Sequence, residues 1–304
     1  MRYFRLYDEG SQSRLCAELQ PGQLVDLTTI RRGLTRLEQL AEAASLSSRT
    51  IDDVVLDLLD SPVHPPEMHD LAQVVENSRD GGKGLTLRRP FDPPEVWAAG
   101  VTYKNSEMER KRESGSPDVY AKVYAAERPE LFFKSTAARC LGPFESIGIR
   151  ADSNWNVPEP ELAFTIHHGE IIGYTNGNDV SSRTIEGENP LYLPQAKIYD
   201  RSCSIGPCFA TAETVGDPHK LTVKMEILRD GREVFSRSSS TSLMARRCEQ
   251  IAQWLQRHNP VPDMTTVLTG TDIVPPPEFT LQQDDVVVIT IDLIGELENR
   301  VTVV

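Results

Sequence analysis

From Val96 to the end of the chain, apolar residues come in short runs rather than at helical spacing: VWAAGV, PELFFK, SIGIRA, ELAFTI and EIIGYT. Each run has the length of a strand and is bounded by turn-forming or charged residues. LTVKMEILRDGREVFSRS reads as a hairpin turning at Asp230–Gly231, since Asp-Gly accepts the left-handed backbone of a two-residue turn. QDDVVVITIDLIGEL adds another strong strand, and one clear helix, Arg246 to Arg257, stops at HNPVPD. A segment patterned this way folds around sheets.

Residues 1–88 are patterned differently. Met1 to Tyr7 reads as a strand, with Tyr3 on one face and Phe4 and Leu6 on the other. Thr28 to Ser45 is expected as a helix, because Ile30, Leu34, Leu37 and Ala41 recur at spacings of three and four. Ile51 to Leu59 reads as a second helix, ending before SPVHPPEM, where His64 and His69 are expected as exposed loop residues. Gly and Pro then cluster in SRDGGKGLTLRRPFDPPEVW. The fold class is therefore α+β: a small N-terminal α/β domain, residues 1–88, followed by a β-rich domain, residues 89–304. A length of 304 residues accommodates two domains of about 150 residues.

Lys plus Arg number 32 against 45 Asp plus Glu, a net charge of -13. That field repels phosphate backbones, so no nucleic-acid partner is expected, and an anionic substrate needs a local cation. The N-terminus, MRYFRLYDEG, has no apolar leader, and no window approaches the ~18 apolar residues of a membrane span, so no membrane partner is expected. Cys16, Cys140, Cys203, Cys208 and Cys248 are scattered and odd in number, which fits reduced thiols in a cytoplasmic protein.

Two polar features interrupt the strand pattern. The segment 102–128 carries Lys104, Glu107, Glu109, Arg110, Lys111, Arg112 and Glu113, then a second amphipathic stretch with Ser116 as N-cap, Pro117 at the first helical position, and Val119 and Val123 as its apolar stripe. Its composition favours a solvated loop over a lid. The second feature is N-V-P-E-P-E-L-A-F-T-I, in which Glu159 and Glu161 share one face of a strand. Two such carboxylates repel unless a cation lies between them, so a hard-cation site for Mg²⁺, Mn²⁺ or Ca²⁺ stands against a solvated acidic edge strand. His167 and His168, in HHGE, read as an exposed hairpin tip. Asp179 and Lys197 follow at intervals of eighteen, at strand ends, and spacing alone assigns them no role.

The motifs G-V-T-Y (100–103), E-P-E (159–161), N-D-V-S-S-R (178–183), Lys197, T-G-T (269–271) and I-G-E-L-E-N-R-V (294–301) occur in one order. In that order they make residues 96–304 resemble the fumarylacetoacetate hydrolase superfamily. The resemblance implies a mixed β-roll catalytic domain and a divalent metal, Mg²⁺ with Mn²⁺ or Ca²⁺ in its place, held by Glu159, Glu161 and Asp179 with Lys197 beside it. It also implies a 2-keto acid or β-diketone substrate and a homo-oligomer, dimer or tetramer.

The chain departs from the hydrolases of that superfamily in one informative place. They usually carry a His three residues after the Tyr of G-x-x-Y and a Glu three beyond; here Ser106 and Glu109 follow Tyr103. A serine accepts no proton near neutral pH, so the hydrolytic base is missing. D-P-P-E-V-W (92–97), V-Y-A-A-E-R-P-E-L-F-F-K (123–134) and E-N-P-L-Y-L-P-Q-A-K-I-Y (188–199) resemble instead the branch that dehydrates 2-keto-3-deoxy sugar acids. The expected reaction takes 2-keto-3-deoxy-D-arabinonate to 2-oxoglutarate semialdehyde in sugar-acid catabolism.

On that resemblance Lys197 is expected either to move the C3 proton or to bind the substrate carboxylate as a cation. Glu186 stands where the hydrolases commonly carry Gln and is expected to serve the departing hydroxyl; Glu109 is the third catalytic candidate. Thr102, Tyr103, Ser106, Phe133, Lys134 and Thr271 are expected around the substrate, with 102–128 as a lid bringing Ser106 and Glu109 to the metal. Two other readings keep the fold: a C–C hydrolase of acylpyruvates, with Glu109 or Glu186 activating water, and a non-catalytic ligand-binding protein.

Overall fold

The computed structural model describes residues 1–79, 81, 84–113 and 122–304. At the N-terminus Arg2–Tyr7 (β1), Ser13–Gln20 (β2) and Gln23–Asp26 (β3) form an antiparallel meander. Leu37–Ser47 (α1) and Ile51–Asp60 (α2) follow; Glu67–Asp70 (β4) then pairs with β3, Leu71–Arg79 (α3) follows it, and Thr86–Arg88 (β5) pairs with β1. As the alternation requires, Tyr3 enters one core cluster while Phe4 and Leu6 enter the other.

The single helix expected over 28–45 is interrupted. Asp26 caps a turn, Leu27–Ile30, and the chain then leaves helical geometry through Gly33, whose φ is +93°. Helix α1 restarts at Leu37, with the Gln39 side chain accepting from the Arg36 N–H. The periodicity survives the break because Ile30, Leu34, Leu37 and Ala41 all pack into one cluster. His69 lies on β4 and is partly buried against Asp26 rather than in an exposed loop.

The remaining strands, in chain order, are Val96–Gly100 (β6), Glu130–Ser135 (β7), Cys140–Leu141 (β8), Ile147–Ile149 (β9), Asn156–Val157 (β10), Pro160–His167 (β11), Glu170–Asp179 (β12), Ser181–Ser182 (β13) and Cys203–Thr211 (β14). Thr222–Arg229 (β15), Arg232–Ser240 (β16), Thr265–Leu268 (β17), Val286–Ile291 (β18) and Gly295–Val303 (β19) complete them. The large sheet runs β4-β3-β2-β1-β14-β12-β11-β17-β6-β7, with β5 on β1 and β8 on β14. A second sheet runs β16-β15-β18-β19-β9. Antiparallel pairing of Arg2 with Ala210 and Tyr3 with Phe209 makes residues 1–88 and 89–304 share one sheet. One cluster accordingly joins Phe4 and Leu6 to Ile289 and Leu297 of the second sheet.

The helices of the C-terminal part are Lys104–Glu113 (α4), Arg183–Glu188 (α5), Leu193–Lys197 (α6) and Cys248–Gln256 (α7). The hairpin β15–β16 turns at Asp230 and Gly231, with φ of 51° and 72°. Helix α7 and this hairpin fall where sequence periodicity and turn chemistry put them.

Candidate metal centre and active site

Strand β11 decides the geometry. It is flanked by β12 and β17, so its acidic end is interior and not the solvated edge that composition allowed. The register pairs Pro160 with Asn178 and Glu161 with Gly177, and the Asp179 N–H donates to the Glu159 carbonyl (3.0 Å). Asp179 is thereby brought alongside the two glutamates. One carboxylate oxygen from each of Glu159, Glu161 and Asp179 lies within 4.8 Å of the others, and all three residues are buried. Burial first, then the charges of Asp179 and Glu159, push the Glu161 carboxyl well above the usual range. A buried all-oxygen donor set is what Mg²⁺, Mn²⁺ or Ca²⁺ requires and what thiophilic metals avoid.

Three cations hold the acids in place. Lys197 Nζ donates to Glu159 Oε2 (2.6 Å), Asp179 Oδ2 (2.9 Å) and Ser181 Oγ (2.6 Å). Lys197 ends the short helix α6 rather than a strand, and α6 begins with Pro194 inside its first turn. Lys134, fully buried on β7, pairs with Asp179 Oδ1 (2.6 Å) and donates to the carbonyls of Lys197 (2.6 Å) and Val180 (2.9 Å). Arg183 spans Glu159 Oε1 (2.8 Å) and Glu186 Oε2 (3.1 Å) from the start of α5, which Ser182 caps. Gly270 N–H donates to Glu161 Oε2 (2.5 Å) from a backbone at φ +87°; a Cβ there would stand 2.1 Å from Thr102 Oγ1, so only glycine fits.

Above the acids opens a cleft. Its lining includes Glu130, Phe132, Glu159, Glu161, Asp179, Arg183, Glu186 and Lys197, with Ser106, Val123 and Thr271 at its sides. Val101 also faces it, at φ +53°, a conformation a β-branched residue adopts at a cost of about 1–3 kcal/mol.

The sequence-derived candidates divide accordingly. Glu159, Glu161, Asp179, Lys197, Glu186, Ser106 and Thr271 all line the cleft. Lys134 lies beneath it, bound to Asp179. Thr102 is buried behind it, donating to the Thr269 carbonyl (2.6 Å). Tyr103 is buried too; its phenol is pushed up by burial and by Glu161. Phe133 points away and packs edge-on against Trp97 at 5.6 Å, while its neighbour Phe132 faces the cleft under Lys197. Strand alternation explains the one-residue offset: Glu130, Phe132 and Lys134 share a face of β7. Glu130 escaped the sequence reading, though its even spacing from Lys134 marks the same face.

Glu109 is not among the described lining residues; its carboxylate accepts from Arg112 (3.0 Å) on the outside of α4. Ser116, Pro117 and Val119 lie outside the described residues. Of the two residues at the hairpin tip, His168 is exposed but His167 is buried, because β11 carries it back against α1. The described residues lining the cleft include no histidine.

Residues 95–302 match the family model described as fumarylacetoacetate (FAA) hydrolase, C-terminal. The chain is 46% identical over 304 residues, all of both chains, to a probable 2-keto-3-deoxyxylonate dehydratase of Haloferax volcanii. It is 46% identical over 221 residues to the 2-dehydro-3-deoxy-D-arabinonate dehydratase of Saccharolobus solfataricus, covering 70% of this chain and 73% of that one. A solved structure of 2-keto-3-deoxy-D-arabinonate dehydratase complexed with magnesium and 2,5-dioxopentanoate superposes with a TM-score of 0.84 at 35% identity, covering 100% of this chain and 99% of the other. The shared β-roll, the buried acids and this match over most of the C-terminal part lead to one conclusion: the chain belongs to the fumarylacetoacetate hydrolase family.

Proposed function

We propose that this protein is a Mg²⁺-dependent dehydratase that converts a 2-keto-3-deoxypentonate to 2,5-dioxopentanoate, which is 2-oxoglutarate semialdehyde. The observation that carries the reading is a cleft whose buried acids suit a hard cation while its described lining offers carboxyls and a lysine but no histidine. Removing C2 and C3 as stereocentres erases the difference between arabinonate and xylonate of one configurational series. Both relatives' substrates therefore reduce to one carbon skeleton with a single centre at C4.

Bound by Glu159, Glu161 and Asp179, the cation supplies Lewis-acid stabilisation for charge developing at a 2-keto oxygen. Lys197, in the cleft wall beside two of those acids, moves the C3 proton. Two further carboxyls, Glu130 and Glu186, face the substrate space. Glu186 shares Arg183 with Glu159 and so positions a metal ligand; Glu130 gives a proton to the C4 hydroxyl. The C3–H and C4–O bonds break, a C3–C4 double bond forms, water leaves, and proton shifts then deliver the C5 aldehyde. Ser106 and Val123 border the cleft from the described residues 102–113 and 122–128, and these two parts close over the substrate.

The reading carries with it a cytoplasmic homo-oligomer, dimer or tetramer, in pentose catabolism. All five cysteines are buried free thiols, and no helix among the described residues is long and apolar enough to cross a membrane. Light scattering reads the assembly directly.

The experiment is turnover of 2-keto-3-deoxy-D-arabinonate with Mg²⁺ and with EDTA, coupled to an aldehyde dehydrogenase. Semialdehyde is expected only with the metal. Metal-loaded enzyme that makes none from either C4 configuration overturns the reading, and consumption of an acylpyruvate moves it to C–C hydrolysis. Glu130→Gln is expected to lower kcat about 10²–10⁴-fold at unchanged Mg²⁺ affinity, whereas Glu186→Gln weakens Mg²⁺ binding about 10–100-fold.

A further inference from the structure

The far end of β11 carries a second cluster of ligating side chains. His167 closes the strand and His168 begins its turn at φ +48°. Neighbours on a strand point to opposite faces, but this left-handed residue brings the two rings together, with centroids 4.3 Å apart. Both imidazoles turn Nε2 toward Glu42 of α1: its Oε2 lies 3.5 Å from His167 and 3.1 Å from His168. Both turn Nδ1 toward Asp263, at 3.8 Å and 3.3 Å. His167 is only 6% exposed, and neither of its ring nitrogens has a hydrogen-bond partner. A buried imidazole left in that state is costly unless something occupies the space it faces.

We infer that Glu42, His167 and His168 form a second metal site, for a borderline divalent ion such as Zn²⁺, Co²⁺ or Ni²⁺, which pins the β11–β12 hairpin tip to α1. One ligand atom from each of the three lies within 4.8 Å of the others. Ligands at ~2.1 Å from a tetrahedral ion stand roughly 3.4 Å apart, the spacing Glu42 keeps from both rings. Two nitrogens and one carboxylate select such an ion over Mg²⁺, which the oxygen cradle suits better. Asp263, on the far side of both rings, places a carboxylate 3.3 Å from His168 Nδ1 and 3.8 Å from His167 Nδ1, a charge that favours the tautomers with Nε2 open to the metal. His168 and Glu42 are about half exposed, so water completes the coordination and the ion has a way in. Six residue steps along β11 take the chain from Glu161 to His167, roughly 20 Å of strand, so the site acts apart from the reaction.

The test uses the full chain with Mg²⁺ saturating, so that the oxygen cradle is filled. Calorimetry with ZnCl₂ is expected to show a further equivalent of zinc bound, and CoCl₂ to give the intense visible bands of a low-coordinate site. His168→Ala and Glu42→Gln, at partly exposed positions that tolerate change, remove both signals and the rise in Tm that zinc produces, at unchanged Mg²⁺-dependent turnover. Asp263→Asn weakens zinc about tenfold. Glu161→Gln, which disables the cradle, keeps the second zinc. Wild-type protein that takes up no zinc beyond the cradle, or His168→Ala binding it as tightly as wild type, overturns the proposal.

Discussion

The floor of the cleft and its rim are built from different materials. Glu161 and Asp179 stand on central strands with Glu159 just ahead of β11, and Lys134, Lys197 and Arg183 tie Glu159 and Asp179 down in a buried ion-pair network. Ser106 at the rim sits on helix α4, and Val123 lies in the segment 122–125 that follows it. Substitutions in the floor therefore change metal binding and stability together, whereas those at the rim change turnover while the fold stands.

The largest expected effect breaks the floor outright. Glu161→Gln exchanges an anionic ligand for a neutral amide whose oxygen still accepts from Gly270 N–H, and turnover falls by several kcal/mol of transition-state stabilisation, roughly a thousandfold or more. Titration of Mg²⁺ against activity checks it, and retention of wild-type activity would sever the floor from the chemistry. Lys134→Met comes next: it leaves Asp179 short of a buried partner and is expected to cost about 3–5 kcal/mol in urea unfolding with EDTA. Added Mg²⁺ recovers part of that loss. Equal losses with and without the metal would mean that Lys134 serves the fold alone.

At the rim, Gly100 pairs with Glu130 across β6 and β7, and a Cβ at Gly100 would stand 2.1 Å from Glu130 Oε2. Gly100→Ala must swing that flexible carboxylate aside. Turnover is expected to fall about 10–100-fold, with stability changed by less than about 1 kcal/mol; unchanged kcat would remove Glu130 from the reaction.

The smallest effect serves as the control. The hydrogen bond from Arg5, opposed by partial burial and aided by the charges of Arg5 and Arg89, lowers the Asp92 carboxyl to about 2. A depressed carboxyl stabilises the fold fully above its unfolded value of about 4, and the contribution fades as pH falls toward 2. Urea midpoints of Asp92→Asn and the parent should thus differ slightly at pH 7 and converge near pH 2, with kcat untouched. A gap that persists at low pH would mean that packing, and not charge, joins β1 to the start of β6.

The floor was the legible part. Two glutamates one residue apart on a strand must share a face, and the fixed period of a strand carried that inference into three dimensions. The same period would have corrected Phe133 to Phe132 and revealed Glu130, had β7 been anchored on Lys134. Family motifs, not spacing, pointed to Asp179 and Lys197, because the cross-strand register of β12 and the end of a short helix bring them in, and neither can be read from a period along the chain. Glu109 had no such signal: on α4 its carboxylate accepts from Arg112, and a helix without an apolar stripe does not mark which side faces the site. The break at Gly33 was equally hidden, since apolar spacing continued across it.

The pairing of β1 with β14 also has a consequence for synthesis. The first strand to leave the ribosome finds that neighbour only when a partner roughly two hundred residues downstream has emerged. At about 5–20 residues per second the wait is on the order of ten seconds or more. Through that interval Phe4 and Leu6, destined for the core shared with the second sheet, have only local cover. Nascent chains of this protein are accordingly candidates for chaperone holding at their first hairpin, and long-range closure of that kind makes for slow refolding.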